Sequence, residues 1–162
     1  MRAPLTACVL LLAVAGRAAA EDGCHRFEWS VERERALFAD GFTADVESEA
    51  VLPRDGAFSL VLRPVAQVPY VVVPERGRDD GFGGVVTLDW IGAGRWQITL
   101  SEDVWIDAIQ NERRLPLEAT TARNDCPGVR RSLRIEIRSL PLTLQFGGAD
   151  VRRLNVSVLP VR

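Results

Sequence analysis

The chain contains no lysine: all 20 basic residues are arginine. It has a single histidine, a single tyrosine and a single methionine, Met1. One imidazole is too few for a two-histidine-one-carboxylate iron centre or a histidine-rich zinc site. Ser-His-Asp catalysis would have to recruit His25, and no G-x-S-x-G elbow accompanies it. His25 therefore reads as a surface or packing residue. Neither a P-loop nor a G-x-G-x-x-G after a strand is present. No run beyond residue 20 reaches the ~18 apolar residues of a membrane helix. The 22 acidic residues against 20 arginines do not make a nucleic-acid-binding balance. Arginine without lysine fits GC-rich coding, and so a bacterial chain. The expectation is no cofactor, no metal and no nucleic acid.

The N-terminus reads as an export signal. Arg2 gives a short positive region, Leu5 to Ala15 an apolar stretch of about a dozen residues, and Ala18-Ala19-Ala20 a small-x-small cleavage pattern. Cleavage is expected after Ala20, which places the product in the periplasm or outside the cell. Cys8 lies inside the apolar stretch and does not read as a lipidation site. Residues 21–162 form one domain by length, with 18 arginines against 22 acids, a net charge of −4. Two cysteines remain, Cys24 and Cys126. In an oxidising compartment they are expected to pair.

One short helix is expected, with Ser30 as N-cap, Glu32 and Glu34 in its first turn and Asp40-Gly41 at its end. Val31, Leu37 and Phe38 would share its buried face. The rest reads as strands with period-two alternation, one face buried and one wet. Phe58, Leu60 and Leu62 mark one strand; Val86, Leu88 and Trp90 another; then Trp96, Ile98 and Leu100. Val104 to Gln110 is a further run. Leu133, Ile135 and Ile137, then Leu142, Leu144 and Phe146, then Leu154, Val156 and Val158 complete the set, with Tyr70 to Val73 as a short apolar run. The reading is an all-β fold, an antiparallel β-sandwich or jelly-roll of about eight strands with one short N-terminal helix. Pro74 to Gly84 and Thr120 to Gly128 lack periodicity and read as loops.

Candidate sites are few. Asp107 shares a strand face with Trp105 and Ile109, and a partly buried carboxylate needs a partner. Arg130 and Arg131 are the candidates for a structural ion pair. Trp105, beside acids at a strand start, is the ring most expected to be partly exposed, whereas Trp90 and Trp96 stand in phase with core residues. Trp105 as platform and Asp107 as acceptor would suit a glycan. Glu102 and Asp103 with Asp107 would suit a small hydrolase if two of them converged in one cleft. Phe82, near the tip of the charged loop Arg76 to Phe82, is a possible contact residue. That loop lacks the spacing and closing glutamate of an EF-hand.

The stretch Gly94-Arg95-Trp96-Gln97-Ile98-Thr99-Leu100, followed by Val104 to Gln110, resembles bacterial pre-peptidase C-terminal β-sandwich modules. The resemblance spans at most residues 80–160. It implies a module that accompanies secreted enzymes and is not itself catalytic. Through Trp105-Ile106-Asp107-Ala108-Ile109-Gln110 and Cys126-Pro127-Gly128-Val129-Arg130, the chain is also similar to a group of short exported proteobacterial proteins without an established activity. Some of these carry a homogentisate dioxygenase label. True members of that family are much longer cupin enzymes that ligate iron with two histidines and a glutamate, so with His25 alone no iron ligand carries over. The resulting expectation is a non-catalytic exported binding or accessory protein of the envelope. Its partner would be another envelope protein or a glycan.

Overall fold

The alternating apolar residues of the long strands meet in one interior. Phe58, Leu60, Val86, Leu88, Ile98, Leu100, Leu133, Ile135, Leu144, Phe146, Leu154 and Val156 are all buried there. A computed structural model describes residues 22–41, 43–75, 80–138 and 141–162. The expected signal segment and Arg76 to Asp79 of the charged loop lie outside the described residues.

The strands are β1 (Ala44–Glu47), β2 (Val51–Leu52), β3 (Gly56–Val61), β4 (Arg63–Pro64), β5 (Phe82–Leu88), β6 (Gly94–Leu100), β7 (Trp105–Gln110), β8 (Arg113–Arg114), β9 (Leu117–Ala122), β10 (Arg131–Ile137), β11 (Leu142–Ala149) and β12 (Arg153–Pro160). The single helix α1 spans Glu32–Ala39. One sheet has the order β1-β3-β12-β6-β10-β9, the other β2-β5-β11-β7-β8, with β4 also on β5. The all-β sandwich expected from the alternation is present, but with twelve strands rather than about eight. The sheets are mixed rather than purely antiparallel, because β1 runs parallel to β3 and β2 parallel to β5. These extra strands are two to four residues long, or too polar to show a buried period. Among the described residues, no helix is long and apolar enough to cross a membrane.

Both outward faces are covered, which alternation alone does not show. On the first sheet, Ser132 and Gln97 alternate with core residues yet are buried. They meet the N-terminal segment: the Trp29 indole N–H donates to Ser132 Oγ at 2.9 Å, and Gln97 Nε2 donates to the Ser30 carbonyl at 3.2 Å. Cys24, Phe27, Val31, Cys126 and Val129 form a small second core in this cover. The Cys24–Cys126 disulfide is present, with Cα atoms 4.6 Å apart across 102 residues of sequence. α1 keeps its expected face only in part: Val31 is buried and Phe38 packs on this second core. Leu37 is 37% exposed, and the helical residue that goes inside is Glu34. The N-cap position is Val31, although Ser30 Oγ does accept the Glu32 N–H at 3.3 Å.

On the second sheet the cover is a strap, residues 65–75. Tyr70 to Val73 is not a strand. Gln145, wholly buried on the outward face of β11, stands in for the missing ladder. Its Oε1 accepts the Val71 and Val72 N–H groups at 3.2 and 3.4 Å, and its Nε2 donates to the Val72 carbonyl at 2.9 Å. The Tyr70 hydroxyl donates to the Phe146 carbonyl at 3.0 Å. It can lie that close because Gly83 and Gly147 lack side chains: a Cβ on Gly83 would collide with the hydroxyl, and one on Gly147 with the Trp105 ring.

Trp90 also departs from expectation. β5 ends at Leu88, and Ile91 takes the next core position, 1% exposed, leaving Trp90 73% exposed. The chain-entropy account values closure of a loop of about 100 residues at roughly 4–5 kcal/mol. Replacing Cys24 and Cys126 together by serine is therefore expected to lower the unfolding free energy by an amount near this figure, seen as a fall in the urea midpoint. Amides of residues 22–39 should lose hydrogen-exchange protection before those of the sandwich. An unmoved midpoint would show that Phe27, Val31 and the Ser132 and Gln97 contacts hold the cover alone.

Candidate functional site

A cleft of about 440 Å³ wraps the rim where β7 and β8 of one sheet approach β9 and β10 of the other. Ile106, Ala108 and Leu133, which belong to the core, reach its floor, with Leu115 and Leu117 beside them. Glu75, Asp107, Arg114 and Arg131 contribute charge, and Thr120 of β9 a hydroxyl. The turn that brings β8 back along β7 is Asn111-Glu112, both with positive φ, 50° and 59°. Two such residues in succession give the twist of a two-residue hairpin. The turn sets Arg114 opposite Ile109, within reach of Asp107.

Asp107 is the centre of the rim. Its Oδ2 accepts from Gln145 Nε2 at 3.0 Å and lies 3.1 Å from Arg114 Nε. Arg114 continues the network. Its Nη1 donates to Glu75 Oε1 at 2.9 Å, and its Nη2 donates to the Val73 carbonyl. One arginine thus ties the end of the strap to β7. The expected ion pair exists, but its partner is Arg114, not Arg130 or Arg131. Arg131 Nη2 instead pairs with Asp103 Oδ1 at 2.6 Å, and Arg130 donates to the Asn124 carbonyl. The pair forms across a tight hairpin, which a search among residues beyond the cystine loop would miss.

Trp105 lies at the cleft but does not offer an open face. It is half-buried, its ring centroid 5.4 Å from that of Tyr70, with Gly147 beneath. Its indole N–H is buried without a hydrogen-bond partner among the described residues. Glu102 and Asp103 do not join Asp107. Asp103 lines a separate depression of about 450 Å³ with Arg26, Arg123 and Asp125. Phe82 begins β5, packs on the core and lies under the Arg152 guanidinium at 4.6 Å, away from the cleft. His25 is exposed on the N-terminal cover and bonded to the Asp22 carbonyl. Among the described residues no three His, Cys, Asp or Glu side chains converge as a metal site would require.

The residues the sequence did not single out here are Tyr70, Glu75, Arg114 and Gln145. Only Gln145 carried a trace, as a polar residue between Leu144 and Phe146, and that pattern reads equally as a wet face. At the rim the Asp107 carboxylate is engaged by Arg114 and Gln145. An apolar floor with a charged rim suits binding.

Burial pushes the Tyr70 phenol up to about 12 from its ordinary 10.0. The folded state then holds this proton more tightly than the unfolded chain. The stability it contributes is present below pH 10 and falls as pH rises from about 10 towards 12. Because Tyr70 is the only tyrosine, phenolate absorbance should appear near pH 12 in the native protein and near pH 10 in urea. Coincident titrations would mean that the strap leaves Tyr70 open to water. Asp107→Asn keeps the Gln145 contact but removes the charge facing Arg114. It should cost about 1–3 kcal/mol in chemical unfolding, and a neutral result would mean that Glu75 and Val73 hold Arg114 unaided. No protein-family model, no curated protein and no solved structure matches this chain, so its role is to be read from the geometry of this rim.

Proposed function

We propose that the protein is a non-catalytic binding module of the bacterial envelope, exported by its N-terminal segment, and that it takes an extended segment of another envelope protein along β9. The observation that carries this reading is the coincidence of a free strand edge with a lined cleft. β9 is the last strand of its sheet, and among the described residues nothing pairs with its outer side. Leu117, 42% exposed, and Thr120 belong both to that strand and to the cleft wall. A strand added here gains main-chain hydrogen bonds, while alternate side chains enter the cleft for selectivity. The opposite treatment of β5 supports the reading. β4, Ser48, Glu49 and β2 together occupy its edge from Phe82 to Leu88.

The resemblance to accessory β-sandwich modules and to short exported proteins agrees with a module that acts by contact. A glycan site built on Trp105 and Asp107 is the weaker reading, since Trp105 lies against Tyr70 and Asp107 is engaged by Gln145 and Arg114. The open ring is Trp90, which does not line the cleft.

The test is photo-crosslinking in the native envelope with a reactive residue at Leu117. One discrete protein adduct is expected, and Thr120→Arg should reduce it at least tenfold while the unfolding midpoint stays in place. Adducts of equal strength from a probe at Val151, outside the cleft, would mean contact without selectivity. A saccharide retained instead of a protein would move the role to glycan binding.

A further inference from the structure

The depression of about 450 Å³ near the Cys24–Cys126 disulfide lies where the hairpin between β9 and β10 meets the N-terminal cover. Its wall carries Arg26, Arg123 and Arg130 against Asp103 and Asp125. Both carboxylates are already engaged: Asp125 pairs with Arg26, and Asp103 with Arg131. Arg123 and Arg130 have no carboxylate partner among the described residues and bond to backbone carbonyls instead.

These two cations sit opposite each other. The Arg123 N–H donates to the Arg130 carbonyl at 2.8 Å, one step beyond the Ala122–Arg131 pair of the ladder. Residues directly opposite on antiparallel strands have Cβ atoms about 5 Å apart, and like charges so placed destabilise the pair. Both guanidiniums are nonetheless held in place. Arg123 Nε and Nη2 donate to the Arg26 carbonyl at 2.9 and 2.6 Å, and Arg130 Nη1 donates to the Asn124 carbonyl. A carbonyl fixes a guanidinium without cancelling its charge. The frame is tied in turn by the disulfide and by the Gly23 N–H on the Asp125 carbonyl at 2.9 Å. The donors that remain are open to a ligand. Arg123 is exposed; Arg130 is half-buried, but none of its nitrogens is sealed from solvent without a partner. Arg123 Nη1, and Arg130 Nε and Nη2, are left at the wall. In a domain of 18 arginines against 22 acids, two guanidiniums without a carboxylate in one depression run against the overall balance.

We propose that this depression binds a phosphate group, as free phosphate or as a phosphomonoester, between Arg123 and Arg130. Two opposed guanidiniums call for an anion with two charges on one small centre and oxygens in several directions. A phosphomonoester carries about −1.5 to −2 at neutral pH and three acceptor oxygens. A carboxylate brings one charge and two coplanar oxygens, enough for a single arginine. A bound phosphate also removes the repulsion across the end of the ladder, so it should raise the unfolding midpoint.

Isothermal titration of the purified protein with inorganic phosphate, glycerol 1-phosphate and acetate, at low ionic strength where screening is weak, tests this directly. At least one of the two phosphates is expected to bind tenfold or more tightly than acetate. Tighter binding of glycerol 1-phosphate than of inorganic phosphate assigns the ester, and the reverse order assigns the free ion. Arg123→Gln and Arg130→Gln should each weaken the favoured phosphate at least tenfold. Arg95→Gln, which removes an exposed arginine paired with Glu118 outside the depression, should change it less than twofold. Absence of binding by both phosphates would overturn the proposal. So would acetate as tight as phosphate, or an affinity that survives the combined Arg123→Gln and Arg130→Gln change. The ranking of the three ligands on the unaltered protein is decisive even where a variant does not fold.

Discussion

A peptide segment laid across a sheet has no ladder of its own, so its N–H and C=O groups must find partners in the surface below or remain unpaired at a cost of about 1–3 kcal/mol each. Much of this molecule follows from that constraint. The strap over the second sheet can lie flat because Gln145 supplies both an acceptor and a donor to Val71 and Val72. The N-terminal cover depends in the same way on Ser132 and Gln97. Such side chains are buried by what lies over them, so they are polar residues inside a structure whose alternation marks them for solvent. Asp107 is linked to the same constraint. It accepts the other N–H of the Gln145 Nε2 that serves the Val72 carbonyl, and holds the arginine that closes the strap's end.

The core was legible because a buried face repeats every second residue, and Leu133, Ile135 and Ile137 can point inward together in only one register. The disulfide was legible from the cysteine count and the oxidising compartment that the N-terminal segment leads one to expect. The covers were not. Ser132 between apolar neighbours has the same pattern whether water or Trp29 lies above it, and no local signal distinguishes the two. Trp90 shows a related limit. Its phase with Val86 and Leu88 is correct only while the strand continues; the strand stops at Leu88, and Ile91 inherits the inward position. α1 shows a third. Its inward residue is Glu34, a charge whose burial rests on the neighbouring Arg33 and not on any periodic pattern.

Edge protection divides the candidate surfaces. An unpaired strand edge invites association, and proteins commonly blunt it by short strands, bulges or a covering segment. The chain spends Ser48 to Leu52 and Arg63-Pro64 on sealing β5, including the left-handed Glu49 (φ 78°), whose N–H meets the Val85 carbonyl at 2.7 Å. β9 has no such cover among the described residues, although the same sheet pays in buried polar groups to protect its outward face. A fold that seals one edge with strained backbone and leaves another beside a lined cleft treats the two differently, and selective contact is the physical use that an open edge offers.

The cleft and the strap are mechanically one unit. Arg114 faces the cleft with the same guanidinium that holds Val73, Glu75 and Asp107. An arginine engaged by three partners has its rotamer fixed, so its charge is preorganised at the rim and little side-chain entropy would remain to be lost in the proposed binding. The strap therefore acts beyond covering Gln145 and the Trp105 ring. By anchoring Arg114 from outside the sheet, it gives the cleft a charged border beside β9, a terminal strand of the facing sheet.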